Sequence, residues 1–157
     1  RATDCSPAVR WPNDLMLSGR KLGGVLVESR ALAAGRRAFV LGIGINCLQQ
    51  AGHFPDDLRT QATSLELESA NSIERRSVAR ALVERLDAWV GHGGADDALL
   101  AAWRGRCDEL GARVTLLYDR REYTGTIVDI DERGDLTLQL DEGGRRHFAS
   151  ETTTRLR

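Results

Sequence analysis

Hydrophobic positions along the chain fall into three regimes. The first carries two short, β-branched runs, GVLVE (24–28) and AFVLGIGIN (38–46). Each reads as a strand, and the polar connection around Ala34, Gly35 and Arg36 suggests a hairpin. Both runs are apolar on both faces, the pattern of strands covered on each side. Upstream, RWPNDLMLSGRKLGG reads as a Trp-Pro turn followed by a loop at Gly19, and 48–70, with Pro55 and DDLRTQATS, reads mostly as loop. The second regime is helical. From Ile73 to Val90, Val78, Leu82, Leu86 and Trp89 recur at helical spacing. Asn71 with Glu74 resembles a capping box, and Gly91–Gly94 supplies a stop. A second helix is expected over Asp96–Cys107, with the stripe Leu99, Leu100, Trp103 and Cys107. Both stripes are expected in the core. From Gly111 the period becomes two: RVTLLY, EYTGTIVDI, DLTLQL and RRHFA alternate with DRR, DERG and DEGG turns, and Thr153–Leu156 adds a last strand. Short antiparallel strands at this spacing predict a small barrel.

Composition narrows the function classes. The chain has 157 residues, 41% hydrophobic and 29% charged, with a net charge of -1. That balance gives no electrostatic case for nucleic acid or an anionic membrane surface. No apolar run approaches the roughly 20 residues that span a bilayer. Cys5, Cys47 and Cys107 are scattered, as are His53, His92 and His147; neither set has the tight pairs of a disulfide framework or metal site. Reduced thiols in a cytoplasmic protein are expected. The chain opens on Arg1 and its only methionine is Met16, which reads as a piece of a longer protein.

Lys21 is the only lysine among 22 basic residues. A lysine kept where arginine serves everywhere else is a candidate for chemistry that needs a compact point charge. Around it lie Asn13, Asp14, the glycines of KLGG and GIGIN, and Asn46. Lysine beside exposed glycine backbone is a way to hold phosphoryl oxygens. Neither KLGG nor GIGIN fits a P-loop or the dinucleotide fingerprint. The residues alone therefore support an anionic, phosphate-bearing ligand near Lys21, against the alternative of a surface lysine among glycines that serve turns and packing.

RWPNDL, RKLGGVLVES and GIGIN, in this order and spacing, resemble the signature blocks of biotin protein ligases. FPDDL and ATSL resemble later segments of that family, and LGARVTLLYDRREYTGTIVDIDERGDLTLQL is similar to its SH3-like C-terminal barrel. The resemblance implies an α+β chain: a partial, class II synthetase-like mixed-sheet catalytic domain over 1–108, then the barrel over 109–157. It implies ATP-dependent ligation of biotin to a lysine of a biotin carboxyl carrier protein through biotinyl-5'-adenylate, with Mg2+ accompanying ATP. Lys21 would then sit at the biotin carboxylate and α-phosphate, and Asp14 near the reacting anhydride. Gly24, Gly42 and Gly44 would let backbone approach biotin, while Trp11, Asn13 and Asn46 would serve the adenylate. Each has a plainer alternative: Asp14 as a turn or capping carboxylate, Asn46 as a strand-end turn residue, Trp11 as packing. The family's glycine- and arginine-rich loop and its biotin-ring segment do not occur in the sequence, so half an active site is expected. Two rivals stand beside ligation: a non-catalytic biotin- or adenylate-binding regulator, and an interaction module acting through the barrel. Homodimerisation stays open.

Overall fold

A computed structural model of the chain describes residues 3–91 and 96–156. These residues separate into two compact units, one holding 3–9 and 13–91, the other 10–12 and 96–156. The α+β class holds, with strands and helices segregated along the chain. The second unit takes in residues 96–108, so the division at 108 expected from sequence falls inside it. None of the described helices is long and apolar enough to cross a membrane.

The first unit is built on a four-stranded sheet in the order β1-β2-β3-β4, with β1 at Ala8–Arg10, β2 at Asp14–Leu17, β3 at Arg20–Ala31 and β4 at Arg37–Ile45. The β3–β4 hairpin forms as expected, but β3 is much longer than GVLVE. The stretch expected to be a loop at Gly19 is instead a β2–β3 hairpin. Ser18 and Gly19 have φ of 51° and 74°, the paired positive values of a two-residue turn that matches strand twist. DLML before it and RKL after it complete the ladder.

Only the turn-proximal half of this sheet is packed. Leu17, Leu22, Leu65 and Ile73 form the buried cluster, with Leu15, Ile45, Cys47 and Val78 against it. Farther along, Leu26 is 59% exposed and Phe39 65%, and Val27, Val40 and Leu41 are also exposed. Strands apolar on both faces call for cover on each side, and in half a site they are expected to expose an apolar patch, which these residues form. Their apolar character is as the sequence indicates, but the small cluster reaches only the near end.

A single helical turn, α1 (Leu65–Glu68), interrupts what the sequence suggested was loop; the Ser64 side chain caps it by accepting the Leu67 N–H at 3.2 Å. The long helix α2 spans Arg75–Gly91. Its start is set by Glu74, whose carboxylate accepts the N–H groups of Arg76 and Ser77 at 2.8 and 2.6 Å, rather than by an Asn71 cap. Val78, Leu82 and Leu86 are half-buried and Trp89 is 44% exposed, so the expected core stripe is only partly covered. Beyond Gly91, the expected glycine stop lies outside the described residues.

In the second unit, α3 (Asp96–Arg104) is followed by β5 (Arg113–Tyr118), β6 (Arg121–Ile130), β7 (Leu136–Leu140), β8 (Arg145–Phe148) and β9 (Thr153–Leu156). The helix stops at Arg104, before Cys107; Leu100 and Trp103 of its stripe reach the core, while Leu99 stays exposed. The strand order is β8-β7-β6-β5-β9, an open sheet with β8 and β9 as edges. The closed barrel expected from sequence is thus not formed: β8 and β9 do not pair among the described residues. The register shift between Ile127 and Asp129 bends β6, as an extra residue in one strand does. The core gathers Val114, Leu116, Ile127, Ile130, Leu136, Leu138, Phe148 and, from far upstream, Trp11.

Candidate active site

The strand register gathers the candidate residues of the first unit. Asp14 on β2 lies opposite Gly24 on β3, which lies opposite Gly44 on β4; Leu26 lies opposite Gly42. Directly opposed residues share a face, and so do residues two apart on one strand. Asp14, Gly24, Gly44 and Gly42 therefore line one face, where Gly42 and Gly44 leave a strip of bare backbone, while Gly24 is closer packed, a Cβ there falling 3.2 Å from the Asn13 carbonyl oxygen. A Cβ on Gly44 would meet nothing within 4 Å, and one on Gly42 would make only ordinary contact with Leu26 at 3.7 Å. Their sequence signal, glycine inside an apolar strand, was thus a sign of open backbone rather than tight packing. Gly23, which the sequence grouped with the exposed glycines of KLGG, is instead tightly packed: its Cβ would fall 2.0 Å from the Gly44 carbonyl oxygen.

Lys21 lies on the same hairpin, beyond a register shift between Leu15 and Met16. Its Nζ is 2.5 Å from Asp14 Oδ1, with 52% of the lysine side chain exposed. The backbone of Lys21 is held by a second segment. Its N–H donates to the Gln61 carbonyl at 2.7 Å, and its carbonyl accepts from Thr63 N–H at 2.9 Å, a parallel bridge through Ala62. The same Thr63 reaches Asn46, whose Nδ2 donates to the Thr63 carbonyl at 2.9 Å. The Asn46 backbone is fixed at both ends, its N–H to Leu22 and its carbonyl to the Leu65 N–H, each at 2.9 Å. One of the two Nδ2 hydrogens is so used, and Oδ1 has no partner among the described contacts.

Thr63 is fully buried. Its hydroxyl donates to Glu68 Oε1 at 2.5 Å, and Glu68 also accepts from Arg20 at 2.5 Å and from Ser18 Oγ at 2.7 Å. The Thr63 and Ser18 hydroxyls and the Arg20 guanidinium hold the Glu68 carboxyl below the usual carboxylate range, against the opposing effect of burial. Neither Thr63 nor Glu68 stood out by residue type. The one signal was ATSL, carried by the family resemblance.

Other candidates are placed differently. Trp11 is 3% exposed in the core of the second unit, and its indole N–H donates to the Gly134 carbonyl at 2.8 Å. That is a packing position. Asn13 is exposed, and its carbonyl accepts the Val25 N–H at 2.9 Å. The three thiols are free, and burial pushes each of them up, so none is an activated nucleophile. The described residues contain no cluster of His, Cys, Asp and Glu suited to a metal ion.

The site thus combines one cation, one carboxylate, an oriented amide and open glycine backbone. Residues 3–46 match the biotin/lipoate A/B protein ligase family, and residues 110–150 match the biotin protein ligase C terminal domain. Over 147 residues the chain is 31% identical to the bifunctional ligase/repressor BirA of Bacillus spizizenii, aligning 91% of itself and 45% of that protein. It is 33% identical over 139 residues to a biotin–[acetyl-CoA-carboxylase] ligase of Mycobacterium tuberculosis, aligning 87% of itself and 48% of that protein. The chain spans about half the length of these curated relatives. Its fold is that of the crystal structure of biotin protein ligase from Aquifex aeolicus, with a TM-score of 0.81 at 24% identity, covering 99% of this chain and 67% of that one. These matches define a cofactor-attaching ligase class. Within it, the chain belongs to the biotin protein ligase family.

Proposed function

We propose that this chain carries the carboxylate- and nucleotide-facing part of an enzyme that joins biotin to a lysine of a biotin carboxyl carrier protein, using ATP. The observation that carries this reading is the placement of Lys21, beside Asp14 and the glycine strip and tied through Thr63 to an Asn46 amide with an open acceptor. In the first step a biotin carboxylate oxygen bonds to the α-phosphorus of ATP, the bond to the bridging oxygen breaks, and pyrophosphate leaves. Negative charge on the α-phosphoryl oxygens is best met by a fixed cation, the role assigned to Lys21. In the second step the carrier amine attacks the biotinyl carbon of biotinyl-5'-adenylate, the bond to the AMP oxygen breaks, and AMP leaves. Asp14 would take the proton that the amine must lose. The glycine strip lets backbone lie close to the biotin tail. The Asn46 Oδ1 suits the 6-amino group of adenine, which donates where a 6-oxo purine would accept.

Mg2+ would arrive on the triphosphate, whose oxygens suit it. The described residues offer no carboxylate cluster of their own for it. The second unit is read as the SH3-like C-terminal domain; its first strand, β5, lies between β6 and the last strand, β9, which supports an incompletely closed version of such a fold. Free, part-buried thiols support a reducing, cytoplasmic setting.

The test is biotin-dependent exchange of pyrophosphate into ATP by the full-length protein. Lys21→Ala should lower it about a hundredfold, close to 3 kcal/mol of transition-state stabilisation. Lys21→Arg should restore only part, since a planar fork does not replace a point charge. Near-normal exchange by Lys21→Ala would remove the basis of this reading.

A further inference from the structure

We propose that Glu68 is a positioning residue, which through Thr63 and Arg20 sets where Lys21 and the Asn46 amide stand. The inference rests on the functional reading above. Glu68 lies at the end of a single helical turn and bonds neither Lys21 nor Asn46 among the described contacts, yet its two carboxylate oxygens take three donors. Arg20 is the residue immediately before Lys21. Ser18 belongs to the two-residue turn that aims the hairpin. Thr63 bonds the Lys21 carbonyl through its N–H and the Asn46 amide through its carbonyl.

The geometry divides the labour. Backbone bonds from Gln61 and Thr63 hold Lys21 on its strand, and the bonds of Leu65 and Glu66 to the Asn46 and Cys47 carbonyls hold the other side of the segment. The Glu68 carboxylate ties that segment, through the buried Thr63 hydroxyl, to the hairpin it flanks, through Arg20 and Ser18. Loss of the carboxylate would leave the Thr63 hydroxyl buried without its acceptor, a state that favours rearrangement. A shift of Thr63 would move Lys21 and Asn46 together, because both are bonded to its backbone. The three contacts are charge-assisted and short, as a rigid tie requires.

The consequence is kinetic. Glu68→Ala should lower kcat for biotin-dependent pyrophosphate exchange by about ten- to a hundredfold, the range expected when reacting groups are displaced by about an ångström. Thr63→Val keeps both backbone bonds of Thr63 and removes only the hydroxyl, so it should reproduce that loss if Glu68→Ala folds poorly. The decisive measurement is a double-mutant cycle in the full-length protein with Lys21→Arg, which should retain measurable exchange. If Glu68 acts through Lys21, the Glu68 substitution should cost far less in the Lys21→Arg background than in wild type. A merely structural brace would give a lower thermal midpoint, an unchanged kcat per folded molecule and independent effects in the cycle, and that result overturns the proposal. Exchange that survives Lys21→Ala defeats the reading of the site itself. A lost activity in Lys21→Ala with full kcat in both Glu68→Ala and Thr63→Val defeats only the positioning role.

Discussion

Asp14 Oδ1 and Lys21 Nζ stand 2.5 Å apart across the β2–β3 hairpin, so the cation of the candidate site is already paired with its carboxylate. More than half of the lysine side chain is exposed, and such a pair contributes little to stability. Its meaning is therefore chemical. An anionic ligand at Lys21 competes with Asp14 for the same ammonium, and a carboxylate released from that contact is free to accept a new partner.

Asp14→Asn separates the two half-reactions. Pyrophosphate exchange should stay within about tenfold of wild type, because Lys21 keeps its charge. Transfer of biotin to the carrier should fall about 10²-fold, the lower end for loss of a general base. Equal losses in both half-reactions would show that Asp14 serves only to hold Lys21.

The oriented amide makes a nucleotide prediction. Asn46→Ala should weaken ATP binding by about 1–3 kcal/mol and leave biotin binding without nucleotide almost unchanged. Wild-type protein should prefer ATP over ITP, and the variant should lose that preference. Titration of both nucleotides by calorimetry reads this directly; loss of biotin affinity to the same extent would assign Asn46 to structure instead, through its backbone bonds to Leu22 and Leu65.

Two neighbouring glycines should behave in opposite ways. Gly23→Ala places a Cβ 2.0 Å from backbone, so β3 and β4 must part, at a cost of about 1–3 kcal/mol or more. Gly44→Ala projects into open space and should change stability by less than about 1 kcal/mol. It should nevertheless raise the KM for biotin about tenfold, equivalent to about 1.4 kcal/mol. Thermal midpoints and biotin kinetics on the two variants check the pair, and an unaltered biotin KM in Gly44→Ala would remove the glycine strip from the ligand face.

Glu68 also predicts how stability varies with pH. Its carboxyl is held below the usual range in the folded protein, first by the Thr63 hydroxyl, then by Ser18 and Arg20. A group whose folded value is depressed stabilises fully above its unfolded value, near pH ~4.3 for glutamate, and that contribution fades as pH falls through the folded value. Asp4 and Glu74 are shifted in the same direction, so the comparison must be with Glu68→Gln. The thermal midpoint of wild type should exceed that of Glu68→Gln at pH 7, and the gap should close below about pH 4. A gap that persists unchanged at pH 3 would mean that the ionised carboxylate is not what stabilises.

Much of this was legible because it is local. The β3–β4 hairpin, the period-two strands after Gly111 and the lone lysine each show within a few residues, and the ordered blocks RWPNDL, RKLGG and GIGIN identify the family. The β2–β3 hairpin was legible too, in Ser18-Gly19 between two strand-like runs, but a turn without Asn or Asp gave a weak signal. Thr63 and Glu68 were not legible by type. Their roles come from a parallel bridge between Lys21 and Ala62, distant in sequence, and no periodicity encodes that pairing. The helix stripes misled for a related reason: spacing shows which face of α2 is apolar, not how much of it the neighbouring cluster covers. The barrel expectation correctly counted the strands, yet closure depends on whether the edge strands meet, which strand patterns do not determine.

Trp11 and Asp14 are three residues apart, yet one is part of the second unit's core and the other of the candidate site. The second unit is therefore discontinuous in the chain. A protein cut between residues 92 and 95 yields a later piece that is not self-sufficient: it lacks Arg10, whose Nε lies 3.0 Å from the buried Glu109 carboxylate, and it lacks the indole that fills its core. Attempts to graft, swap or express the C-terminal portion by itself must carry the tryptophan segment along, and variation at Trp11 should register first as a folding defect of residues that lie a hundred positions downstream.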